Sequence, residues 1–172
     1  MTIIDGWLAY LRQHQITFSH SVHARAGTAL GTAAAEKMNP HELAKTVVYY
    51  GNKGFGLAVV PADRRVNLTA VRHEIGLTSV RLAGEEEISR LFPDCEPGAM
   101  PPFGDVCDLP VIVDGSLVTA YIAFTIGTHR DIVRMSFADF RRLAKPVLAP
   151  IAETAAPWVG WRPEYSNGEE VC

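Results

Sequence analysis

Two runs of strand-forming residues, AKTVVYY (44–50) and FGLAVV (55–60), stand on either side of the short sequence GNKG. β-Branched and aromatic side chains suit the pleated surface of a strand, and Gly51, Asn52 and Gly54 tolerate the positive φ that a tight reversal demands. The pattern predicts a β-hairpin. Whatever else the chain does, it must arrange itself around that antiparallel ribbon.

Helical and strand patterns surround the hairpin. Ile4, Trp7, Leu8 and Leu11 recur at helical spacing behind Thr2, with Asp5 placed as in a capping box, so a short amphipathic helix is expected to end near Gln15. ITFSHSV alternates like a strand, and TALGTAAAEKM reads as a helix of small residues. Asn67 is positioned to cap a helix that buries Leu68, Val71 and Ile75 and stops at Gly76. TSVRLA returns as a strand. EEEISRLF then places Glu85, Glu86 and Glu87 where a helix dipole favours negative charge. PVIVD, TAYIAFTIG and RDIVRMS are three further strands, followed by a helix capped by Ser136, with Phe137, Phe140 and Leu143 inward and Pro146 at its end. Strand pairs interleaved with helices, without strict βαβ alternation, indicate an α+β fold: a mixed, largely antiparallel sheet with flanking helices.

At 172 residues one domain suffices, burying about 70% of the surface that the unfolded chain exposes. Residues 1–145 are expected to form that domain. Residues 146–172 form a C-terminal tail carrying Trp158 and Trp161, either packed on the domain or offered to a partner. Cys95, Cys107 and Cys172 are odd in number and contain no C-x-x-C pair, so they read as free thiols and not as a disulfide framework or a thiolate zinc site. Sixteen basic residues against nineteen acidic ones give a net charge of −3. That balance argues against a surface that coats nucleic acid, and any polyanion must meet a local patch. No apolar run is long enough to span a membrane and the N-terminus lacks a signal-peptide pattern, so a cytoplasmic location with no membrane partner is expected.

The sequence contains no phosphate-binding P-loop, dinucleotide-binding, H-E-x-x-H, G-x-S-x-G or zinc-deaminase motif. GNKGFG is explained by the hairpin. His20 and His23 fall on opposite faces of one strand, which disfavours a shared metal, and no metal or cofactor is expected. Three features remain. Lys45 opens the strand TVVYY, placing an ammonium at a strand end, although a lone lysine there is also an ordinary solvated side chain. In GAMPPFG, Gly98 and Gly104 give freedom at two ends while Pro101 and Pro102 stiffen the middle. Such a loop either turns a corner or holds the N–H groups of Gly98, Ala99, Met100, Phe103 and Gly104 outward as a cradle for a carbonyl oxygen or phosphate. His129, in GTHRDIV, is either an incidental surface group or a proton-exchanging one.

With AKTVVYY carrying Lys45 and Thr46, FGLAVVPADRRVNLTAVR, the Gly98-to-Pro102 element with Gly104, LPVIVD and GTHRDIVRMSFADFRRLAKP, the chain resembles the YbaK and proline-tRNA-ligase-associated editing domains over about residues 15–146. The resemblance implies a mixed sheet with flanking helices and a pocket that hydrolyses the ester joining a small amino acid to the wrong tRNA. It implies a catalytic site of Lys45 with the loop residues Gly98, Ala99 and Met100, and a substrate-binding wall of Thr46, Pro101, Pro102, Phe103, Gly104 and His129. A ribose hydroxyl or a water would attack, without metal. The implied partner is the acceptor end of a mischarged tRNA, with an aminoacyl-tRNA synthetase as a further candidate. Thr128 and His129 depart from the Lys-Arg pair of cysteine-type editors, so alanine, serine, threonine and cysteine all stay open as the removed residue. A non-catalytic ligand-binding or regulatory module retaining the pocket is the alternative.

Overall fold

The computed structural model describes residues 2–23, 29–35 and 37–154. The chain opens with α1 (Ile3–Gln13), whose N-cap Thr2 and Asp5 form the reciprocal hydrogen bonds of a capping box. Then follow β1 (Phe18–Val22), α2 (Ala29–Ala35), β2 (Leu43–Gly51), β3 (Gly54–Pro61), β4 (Arg64–Val66) and α3 (Leu68–Glu74). The second half runs β5 (Val80–Leu82), α4 (Glu85–Leu91), β6 (Val111–Asp114), β7 (Tyr121–Thr125), β8 (Asp131–Ser136), α5 (Phe137–Ala144), β9 (Val147–Ala149) and β10 (Ala152–Thr154).

β2 and β3 form the expected hairpin, in register from Ala44↔Pro61 to Gly51↔Gly54. Of the three turn residues that tolerate positive φ, Gly54 adopts it, at +107°. Asn52 contributes through its side chain, which accepts from the backbone N–H groups of Thr78 and Ser79 at 2.8 and 3.4 Å. The main sheet has the order β1-β8-β7-β2-β3-β6-β9, with β5 also on β2. Its β1–β8, β7–β8, β2–β3 and β2–β5 pairs are antiparallel, whereas β2–β7, β3–β6 and β6–β9 are parallel. The mixed α+β architecture is therefore present. The sheet continues past Pro146 into β9, and β10 pairs with β4 in a second small sheet. Trp158 and Trp161 lie outside the described residues.

Alternation along the strands divides the core into two layers. On one face Ala44, Val48, Leu57, Val59 and Phe124 meet Trp7 and Leu11 of α1, Ile88 of α4 and Phe140 of α5. On the other, Val47, Tyr49, Ala58 and Val60 pack against Val71 of α3. Beside them Leu43, Ala123 and Ile132 are covered by Ala29 and Ala33 of α2. Small side chains on α2 let its backbone lie close to the sheet.

Asp114 at the end of β6 ties the late strands down. One carboxylate oxygen accepts from the N–H groups of Ile151 and Ala152, both at 2.8 Å, and the other from Ser116. Burial alone would push its pKa up, but these hydrogen bonds outweigh that and hold the carboxyl below its usual range.

Candidate active site

Lys45 is half-buried near the start of β2. Because the β2–β3 register is unbroken, Lys45 shares the face of Leu43, Val47 and Tyr49, and Thr46 shares the opposite face with Ala44 and Val48. The Thr46 hydroxyl is buried and has no hydrogen-bond partner.

The proline–glycine loop is fastened to the end of the neighbouring strand. β2 and β7 run parallel, with Leu43 opposite Ala123 and Ala44 opposite Phe124, and their pairing ends one residue short of Lys45 and Thr125. Just beyond, the Gly127 N–H donates to the Ala99 carbonyl at 2.8 Å and the Glu96 N–H donates to the Gly127 carbonyl at 2.7 Å. The loop is thus hydrogen-bonded to the chain just beyond β7. Gly98, at φ +81°, adopts the left-handed conformation that a side chain would strain.

His129 completes the attachment. It is buried, its Nε2 lies 2.7 Å from the Pro97 carbonyl, and its backbone N–H donates to the Glu96 carboxylate at 3.0 Å. A carbonyl only accepts, so Nε2 carries the proton and, in the neutral ring, Nδ1 presents a lone pair. That Nδ1 is buried without a hydrogen-bond partner. From α2, the Thr32 hydroxyl donates to the His129 carbonyl at 3.4 Å. Two buried polar atoms, one on β2 and one after β7, thus have no hydrogen-bond partner.

Several expected roles are corrected. The Ala99 N–H is used in a turn to the Glu96 carbonyl at 3.0 Å, so it is not an outward donor. Met100 is buried in the α1/α4/α5 layer, which limits it to a main-chain role. Phe103 is a core residue, stacked on Trp7 at 5.8 Å between ring centroids and packed edge-on against Phe124 at 5.3 Å, so it does not line a substrate wall. Gly104 is needed for close approach: a Cβ there would meet the Leu109 carbonyl oxygen at 1.9 Å. Pro101 and Pro102 are buried as well. The sequence reading does not single out Glu96, Pro97 or Thr32. An acid set inside a proline–glycine loop is the one signal in the sequence that could have found Glu96.

The thiols flanking the loop are poor nucleophiles. Burial, with smaller contributions from Asp94 and Cys107, pushes Cys95 up to about 11, and burial also raises Cys107. Among the described residues no group of three or more His, Cys, Asp or Glu is arranged to hold a metal, and no helix is long and apolar enough to cross a membrane.

A mixed sheet with flanking helices, a lysine on β2 and a glycine–proline loop fastened just beyond the end of β7 characterise this α+β domain. The model of the aminoacyl-tRNA editing domain matches residues 23–143, and the chain belongs to that family. It is 32% identical over 131 residues to the multifunctional Ser/Thr-tRNA deacylase ProXp-y of Escherichia coli K12, covering 75% of this chain and 74% of the relative. It is also 28% identical over 115 residues to a proline–tRNA ligase of Bacillus cytotoxicus, a match of 60% of this chain to 20% of the ligase. A protein crystallised as a candidate trans-editing enzyme for prolyl tRNA synthetase shares the fold, with a TM-score of 0.75, 24% identity and coverage of 88% of this chain and 95% of the other.

Proposed function

We propose that the protein is an aminoacyl-tRNA deacylase acting in trans, removing a small amino acid esterified to the wrong tRNA. A water, oriented by the neighbouring ribose hydroxyl, adds to the ester carbonyl carbon. The carbonyl π electrons move onto oxygen, and on collapse the bond to the ribose oxygen breaks. When water attacks, that oxygen takes up a proton and free amino acid and tRNA are released. Lys45 supplies the positive charge that holds the polyanionic substrate end and steadies the developing oxyanion, with main-chain N–H groups of Gly98 and Met100 as the loop's contribution. Thr46 and the Nδ1 of His129 receive polar groups of the aminoacyl moiety or the ribose.

The observation that supports this reading is the attachment of the 96–99 segment to Gly127 and His129, beyond the end of β7, the strand that pairs with β2 at Leu43 and Ala44. Rigidity has a purpose here: small amino acids differing by a methyl or hydroxyl are separated by only about 1–3 kcal/mol at a synthetase, and a second, size-limited site removes what the first admits. Serine and threonine lead the candidates because ProXp-y is described as acting on them; alanine and cysteine follow. A synthetase is the natural partner. The test is incubation with seryl-, threonyl-, alanyl- and cysteinyl-tRNA: at least one ester should disappear faster than in buffer, and uniform stability of all four would refute the activity.

A further inference from the structure

Two adjoining cavities, of 340 and 240 Å³, lie beyond the end of α2 and share Met38, Glu42 and Arg134. They form a trough across β1, β8 and the start of β7. Arg134 lies 4.7 Å over the exposed ring of Tyr121, and Lys37, exposed with φ +55°, stands on the wall.

A matched pair in the same molecule shows what is unusual about Arg134. Arg81 lies over Tyr50 at the same 4.7 Å, but its guanidinium is committed to Glu87 at 2.7 and 3.1 Å. Arg134 has the aromatic support without a carboxylate partner among the described residues. Its fork of N–H donors is pre-positioned and, among the described residues, uncommitted, the arrangement that suits bidentate recognition of a phosphate. The exposed Tyr121 face beside it can stack a base. Among the described residues Glu42 is the one acid lining the trough, and its carboxylate suits ribose hydroxyls as donors.

The trough also leads to the right place. Glu42 immediately precedes β2, and Lys45 follows it by roughly 10 Å at the rise of an extended strand. Ala123 lines the trough, and Gly127, which anchors the loop, lies roughly 13 Å further on by the same rise. Resting on the deacylase reading, we infer that this trough carries the sugar–phosphate strand leading to the substrate's ester, with Arg134 and Lys37 on phosphates and Tyr121 under an unpaired base. It is a single local patch, as a chain of net charge −3 requires.

The test is binding of uncharged tRNA, read by fluorescence anisotropy across a salt series, so that it does not depend on turnover. Arg134→Ala should weaken binding about tenfold and flatten the salt dependence by close to one phosphate contact. Tyr121→Ala should weaken it about fivefold or more with little change in salt slope. Arg134→Lys, which keeps the charge and loses the fork, should fall between. Arg81→Ala should bind as the wild type does. Wild-type affinity in Arg134→Ala, an equal loss in Arg81→Ala, or a wild type that binds no tRNA would each overturn the assignment. Deacylation by a wild type whose Arg134 variants bind normally would leave the proposed function standing and remove only the trough.

Discussion

The imidazole of His129 donates from Nε2 to the carbonyl oxygen of Pro97 across 2.7 Å. Together with the Gly127–Ala99 and Glu96–His129 bonds, this closes a small clamp that fixes the loop against the strand end. His129→Ala keeps the backbone N–H that holds Glu96 but leaves the buried Pro97 carbonyl without its donor, and should lower stability by about 1–3 kcal/mol and deacylation more than tenfold. His129→Gln, which can again donate to Pro97, should recover most of the activity. A glutamine variant as poor as the alanine one would show that the Nδ1 acceptor contributes more to activity than the clamp does.

Gly104 sets the far end of the same loop. Adding a methyl there collides with backbone, which cannot swing aside as a side chain can. Gly104→Ala should destabilise the protein by about 1–3 kcal/mol or more, measured as a lower urea midpoint, and should impair deacylation with it. A variant as stable as the wild type would mean that the 104–109 turn is far softer than its geometry indicates.

Asp114 predicts a pH dependence. Its folded pKa lies below its unfolded value, so its contribution is fully present above the unfolded carboxylate range near pH 4 and is lost as pH falls through the folded pKa. Asp114→Asn keeps an acceptor but not the charge, and should cost about 1–2 kcal/mol at pH 7. Urea midpoints of variant and wild type should then converge as pH falls through the folded pKa, below the ordinary carboxylate range. A constant gap across that range would contradict the linkage.

The local signals in the sequence are the ones that hold. The hairpin, the Thr2, Asn67 and Ser136 caps and the stop at Gly76 depend on residues within a few positions of one another. The parallel pairing of Leu43 with Ala123, the late strands β9 and β10 and their tie through Asp114 depend on contacts far apart in sequence, and no periodicity encodes them. The loop shows the same division. Its stiffness is legible from Gly98, Pro101 and Pro102, but the spending of the Ala99 N–H on Glu96 and the burial of Phe103 against Trp7 are not. Lys45 stands out because a charge interrupts an apolar run. Pro97 carries no such mark, since only its carbonyl acts.

The cysteines should be spectators. At pH 8 a thiol raised to about 11 is thiolate in only about one molecule in a thousand. Iodoacetamide should therefore label Cys95 slowly, followed by intact mass, and deacylation should be unaffected. Rapid labelling of Cys95 accompanied by loss of activity would place a thiol in the chemistry.

Lys45 bears the central claim. Single-turnover hydrolysis of seryl- and threonyl-tRNA by wild type and Lys45→Ala, with folding checked by circular dichroism, measures it directly. The rate should fall about 10²–10³-fold, the equivalent of roughly 2.7–4 kcal/mol of lost transition-state stabilisation. A folded variant that hydrolyses both esters at the wild-type rate would contradict the account.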